Sequence, residues 1–215
     1  NATVDFSATG TGNSLASNAN TDANGVAAVD FSSTVVGTKV VTVTLSTGNL
    51  PSTLSITVVP GAAFAGKSTV ATSATNITTD GSATITVQLR DAEENLLTSG
   101  SGTVLLSTTL GTLSAVTNVG NGTYTATLTS TAIGTATVSG TLNGQPLENS
   151  VDVQVAIGAA SVATTTITAA PTTITTDGSA TITVQVKDAA GNNYTTAAGT
   201  VELFTTLGSL TGVTN

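Results

Sequence analysis

One run of twelve residues occurs twice. Ile77–Gln88 and Ile174–Gln185 both read ITTDGSATITVQ, at an offset of 174 − 77 = 97. The match continues without a gap to Gly111 and Gly208, with 24 identities in 35 positions. A second set of segments keeps the same offset of 97. Gly25–Thr34 aligns with Gly122–Thr131, Gly37-Thr38 with Gly134-Thr135, and Gly61-Ala62 with Gly158-Ala159. A fixed period constrains a fold strongly, because each copy must be one structural unit that touches its neighbours in the chain. A period of 97 residues is the size of a small domain. Placing the boundary at Pro60-Gly61 and Ile157-Gly158 gives three parts. Residues 1–60 are the C-terminal part of one unit, 61–157 a complete unit, and 158–215 the N-terminal part of another.

Within the complete unit the apolar residues alternate. Ala83, Ile85, Val87 and Leu89 are separated by Thr84, Thr86 and Gln88. Tyr124, Ala126 and Leu128 alternate with threonines, and Val151, Val153 and Val155 with Asp152 and Gln154. A period of two puts one strand face against a core and the other in water. Threonine is β-branched and hydroxylated, so it suits the wet face. Asp80-Gly81, Asp91–Asn95, Asn121-Gly122 and Asn143-Gly144 punctuate the runs as turns. About seven short strands in roughly 100 residues is the pattern of an immunoglobulin-like sandwich. The expected fold is all-β, with tandem immunoglobulin-like β-sandwich repeats of 97 residues. Tyr124 is expected to be an inward-facing strand residue.

Composition then removes whole classes of function. Charged residues are only 7% of the chain, against about 25% in an average soluble domain. Net charge is −8, and Lys39, Lys67, Arg90 and Lys187 are scattered singly, so nothing is set up to neutralise phosphate in a nucleic acid. Val58–Gly66, the longest stretch without a polar side chain, is far shorter than the ~20 residues of a membrane helix. Cys and His are absent. Thiolate chemistry is therefore excluded, and the many hydroxyls have no histidine to activate them. The hydroxyl-rich, lysine-poor surface suits an exported protein.

At these residues the chain resembles the bacterial Ig-like domain group 1 family, the repeats of intimin- and invasin-type adhesins. The resemblance rests on Thr79-Asp80-Gly81-Ser82-Ala83, Lys187-Asp188-Ala189-Ala190-Gly191-Asn192, Thr109–Ser114 and Thr21–Ala27, taken in order and spacing. It covers nearly the whole chain. The sequence departs from the family pattern at Asp91–Leu96, where Glu93-Glu94 stands in place of a small residue and a glycine. The resemblance implies surface-exposed rods that carry a binding domain away from the cell, with no catalytic residues to carry over.

The candidate sites are few. Asp91, Glu93 and Glu94 are the candidates for a hard-cation site of the calcium type. Against this, aspartates in such positions commonly bond their own backbone in turns. Glu93-Glu94 is also not repeated, since Ala190-Gly191 occupies the equivalent place. The junction residues themselves lack acids, so no calcium-stiffened linker is expected. Lys39 and Lys67, the residues a lysine–asparagine cross-link would use, are expected to be solvated. No cofactor is implied.

The expected role is a structural stalk or spacer in an extracellular, cell-surface adhesin. Its partners would be neighbouring repeats, and a receptor would be engaged through domains outside this stretch. The alternative is a subunit of a self-assembling filament, completed by strand exchange between neighbouring copies. A carbohydrate-binding module is disfavoured by an aromatic content of 3%.

Overall fold

The computed structural model describes residues 2–45, 47–50, 53–100 and 102–212. Among the described residues the chain is all-β, with one 3₁₀ turn at Ala65–Lys67. The first stretch holds β1 (Thr3–Ala8), β2 (Asn13–Leu15), β3 (Asn18–Asn20), β4 (Phe31–Ser33), β5 (Gly37–Leu45), β6 (Gly48–Asn49) and β7 (Leu54–Val58). The middle stretch holds β8 (Thr69–Thr72), β9 (Asn76–Thr78), β10 (Ser82–Gln88), β11 (Val104–Thr108) and β12 (Thr112–Leu113). It continues with β13 (Thr117–Gly120), β14 (Thr123–Thr129), β15 (Gly134–Leu142), β16 (Gln145–Pro146) and β17 (Val151–Ala156). Beyond it lie β18 (Thr166–Ala170) and β19 (Thr181–Gln185).

Residues 61–157 form a two-sheet sandwich. One sheet runs β12-β14-β10-β8 with β13 also on β14, and the other β11-β15-β17-β9 with β16 on β15. The alternation in the sequence explains why the sheets meet. Ala83, Ile85 and Val87 of β10 pair in register with Leu128, Ala126 and Tyr124 of β14, and these inward side chains are buried. Ala136, Val138 and Val153 face them from the second sheet with no exposed surface. The core is small-chained and aliphatic, as a period-two pattern of Val, Ile, Leu and Ala dictates. Tyr124 is a core strand residue, and its hydroxyl donates to the Gly102 carbonyl at 3.2 Å.

The outer faces carry hydroxyls. Neutral cross-strand pairs stand where charged ladders would be, such as Ser107 with Ser139 at 3.1 Å and Thr112 with Thr129 at 3.2 Å. Thr135 donates to Gln154 at 3.0 Å and Thr137 to Asp152 at 2.7 Å. Such pairs hold register between strands.

The first strand of the sandwich changes sheets. β8 pairs antiparallel with β10, and the chain then crosses at Ser73–Thr75 so that β9 pairs parallel with β17. β9 and β17 are thus neighbours running the same way, although they lie at opposite ends of the 61–157 segment.

Residues 2–60 build the sheet β3-β1-β5-β6 with β7 on β5, and a separate pair β2-β4. β7 has β5 on one side and, among the described residues, no strand on the other. Leu54 of β7 is 61% exposed. Lys39 corrects the expectation of a solvated lysine: it is buried, and its ammonium donates to the Thr11 carbonyl at 3.0 Å. In residues 158–212, β18 pairs with β19, and Phe204 and Leu207 are about nine-tenths exposed.

Candidate functional site

Two buried aspartates stand where one stretch of sandwich gives way to the next. At the first, Asp91 closes a tight turn. Its carboxylate accepts the backbone N–H groups of Glu93 at 3.0 Å and Asn95 at 2.8 Å, and the Asn95 side-chain amide at 3.0 Å. It also accepts the N–H of Gly61 at 2.9 Å. Asn95 then reaches across to the preceding stretch, donating to the Thr34 carbonyl at 2.9 Å. The Val36 N–H donates back to its oxygen at 3.4 Å. A side chain that caps its own turn is common. Here the same two side chains also hold a neighbouring module by its backbone.

The arrangement recurs 97 positions on (188 − 91). Asp188 accepts the Asn192 N–H and its side-chain amide, both at 2.8 Å, and the Gly158 N–H at 3.4 Å. Asn192 donates to the Thr131 carbonyl at 2.9 Å. Two further contacts reinforce this second joint. The Thr79 hydroxyl donates to Asp188 at 2.6 Å while accepting the Gly158 N–H at 2.9 Å. The Tyr194 hydroxyl donates to the Gly158 carbonyl. A β-carbon on Gly158 would stand 2.7 Å from Thr79 Oγ1 and 2.9 Å from Asp80 Oδ1, so only glycine permits this approach.

Thr79 and Asp80 belong to the repeated Thr-Asp-Gly-Ser turn. Its local form is fixed by the Gly81 N–H donating to Thr78 at 2.8 Å, and by the Gly178 N–H donating to Thr175 at 3.0 Å. The two repeated turns are therefore the two halves of one joint. The sequence shows each turn separately and does not show that they meet. It also places no acid at the junction chain itself, whereas folding brings Asp80, Asp91 and Asp188 there from the loops.

The electrostatics follow from the donors. Burial pushes the Asp188 carboxyl upward. The Thr79 hydroxyl, the Asn192 amide and the backbone N–H groups of Asn192 and Gly158 outweigh it and hold Asp188 far below the usual carboxylate range. Asp91 is lowered in the same way, with burial opposed by Asn95, Gly61 and Glu93. Both aspartates are therefore ionised anions whose charge is spread over N–H and O–H dipoles, with no cation among the contacts described.

Of the calcium candidates, Asp91 has its oxygens occupied by these donors. Glu94 points away to Lys67, 2.7 Å from its ammonium, and its carboxyl is lowered by that contact. Glu93 is exposed. Among the described residues no three His, Cys, Asp or Glu side chains come together as a metal-binding group. The departure at Glu93-Glu94 leaves the turn unchanged. Glu94 takes φ 67°, where its counterpart Gly191 takes 88°. The Asp91 N–H donates to Asn95 and the Asp188 N–H to Asn192, each at 3.0 Å. The carboxylate-capped turn therefore holds a non-glycine residue in the left-handed region.

Residues 65–158 match the family model described as invasin, domain 3. Solved structures similar to this chain include invasin, described as a bacterial integrin-binding protein, at 30% identity and a TM-score of 0.51 over 90% of this chain. The adhesin FdeC of Escherichia coli is 27% identical with a TM-score of 0.59 over 87% of this chain. InvD of Yersinia pseudotuberculosis is 25% identical with a TM-score of 0.56 over 90%. The chain spans 40%, 63% and 62% of those three structures, respectively.

Proposed function

We propose that this chain, whose residues 65–158 form an immunoglobulin-like domain of the intimin and invasin type, is a stalk segment of a bacterial adhesin-like surface protein. It is organised as parts 1–60, 61–157 and 158–215, it lies outside the cell, and it does no catalysis. The observation that carries this reading is the recurrence of one joint. Asp91 with Asn95, and Asp188 with Asn192, grip the preceding stretch through the same backbone atoms. A spacer needs each module held to the last in a defined way, and short polar joints that use both partners' loops supply this. Receptor binding would belong to other domains of the full protein.

Small-angle scattering from the chain tests the reading. An elongated particle with a narrow distribution of maximum dimension is expected, and a compact globule would sink it. The competing reading, filament assembly by strand exchange between neighbouring copies, predicts fibres of this chain alone. Electron micrographs showing fibres of this chain alone would select it over the stalk.

A further inference from the structure

We propose that the sandwich of residues 61–157 is a tension clamp, built so that pulling on its two ends loads its closing strands in shear. The chain comes in beside Gly61 at the pole that carries Asp91 and Asn95, and leaves at Ile157-Gly158, at the pole that carries Thr79 and Thr131. β8 and β9 run from the first pole toward the second, and β17 runs the same way beside β9. The register is Gln154 with Asn76, Val155 with Ile77 and Ala156 with Thr78. A pull on the ends draws β9 back toward the first pole and β17 toward the second.

The hydrogen bonds between these strands lie across that pull. The Gln154 N–H donates to the Thr75 carbonyl at 2.8 Å and the Thr79 N–H to the Ala156 carbonyl at 3.0 Å. Bonds arranged in this way stretch together and fail together, whereas a peeled hairpin loses them one at a time. The ladder is also backed by dry core. Ile77, Val153 and Val155 are buried beneath it, so water reaches the bonds from one face only.

The joint adds a second tie at the same place. The Thr79 hydroxyl, directly after β9, accepts the Gly158 N–H and donates to Asp188 of the following stretch. Tension arriving through Gly158 therefore passes into the end of β9 as well as into β17. That the chain experiences tension rests on the stalk reading. The shear geometry does not.

The chain has no cysteine, so cysteine pairs introduced into the whole protein give clean attachment points for optical tweezers. Ala62→Cys with Ala159→Cys pulls along the chain ends. Ala62→Cys with Ala92→Cys pulls at one pole, where β8 begins and β10 ends in the register Gln88 with Thr69, and peels β8 from β10. All three alanines are exposed. At equal loading rate the first pair is expected to need a severalfold higher unfolding force than the second. Equal or lower force along the chain ends overturns the clamp. A compact particle in scattering would remove the stalk reading and leave this ratio standing.

Discussion

The two joints use the same four backbone and side-chain roles, yet they are not equally built. At the first, Asp91 and Asn95 hold Gly61 and Thr34, and the position equivalent to Thr79 would precede residue 1, outside this sequence. At the second, Asp188 and Asn192 do the same work, while Thr79 and Tyr194 close over the junction. Leu97 stands where Tyr194 does and brings no hydroxyl. Asp188 has no exposed surface, whereas Asp91 retains a little. The difference separates what makes a joint from what seals one. An aspartate, an asparagine, a glycine N–H and a carbonyl are enough to bring two modules together. At the second joint the Thr79 hydroxyl gives the carboxylate a further donor, and the Tyr194 hydroxyl closes on the Gly158 carbonyl beside it.

The comparison can be broken most severely at the aspartates. Asp188→Ala leaves the Asn192 N–H and the Thr79 hydroxyl without their shared acceptor at a largely buried place, which is costly, while the Gly158 N–H keeps Thr79. It is expected to widen the interdomain distribution seen by scattering and to lower the melting temperature more than Asp91→Ala does. Equal effects would show that the seal contributes nothing.

A smaller test exchanges the turn residues. Gly191→Ala puts a β-carbon at φ 88° with open space around it, so only backbone strain opposes it, about 1 kcal/mol. Glu94→Gly relieves the same strain at the first joint and is expected to raise the urea midpoint, in spite of losing the contact with Lys67. Urea midpoints that move in the same direction for both variants would count against a shared turn.

Acid tests what the two joints share. Both aspartates are lowered in the folded protein, so their contribution is present above the ordinary carboxylate value of 3.8 and is lost as pH falls below it toward the folded values. Both joints are therefore expected to hold at neutral pH and to loosen as pH falls below that value, as followed by amide spectra of residues around Gly61 and Gly158, and spectra unchanged at strongly acid pH would count against the carboxylate ties.

The smallest effect is expected at the surface ion pair. Lys67→Met removes the partner of Glu94 and should shift the melting temperature by an amount near the limit of detection, since exposed pairs contribute little.

Much of the sandwich was legible in the sequence. Alternation located β10, β14 and β17, and the threonines fell on the wet faces as their chemistry requires. The Asp91–Asn95 and Thr78–Gly81 segments were also legible as turns, because Asp and Gly have local reasons to be there. Their meeting was not legible. The joint is made between a side chain in one module and backbone atoms in another, and backbone atoms leave no mark on composition. One signal was present. Asp and Asn persist at 91, 95, 188 and 192 while Glu93-Glu94 gives way to Ala190-Gly191, which a purely local turn does not require. Lys39 was misread for a related reason: its acceptor is the Thr11 carbonyl, invisible to any pattern of side chains.

The part common to both joints grips an amide and a carbonyl, so that part is blind to the side chains of the neighbouring module, and Thr79 adds a side-chain contact only at the second. Any module ending in such a carbonyl and glycine is a grammatical partner for any module opening with an Asp-x-x-x-Asn turn. Gene duplication, deletion or recombination in steps of one period can then lengthen, shorten or reorder the array with no compensating substitution at the seams. In the proposed stalk, a step of one period leaves the Thr34 and Thr131 contacts of the remaining joints as they are.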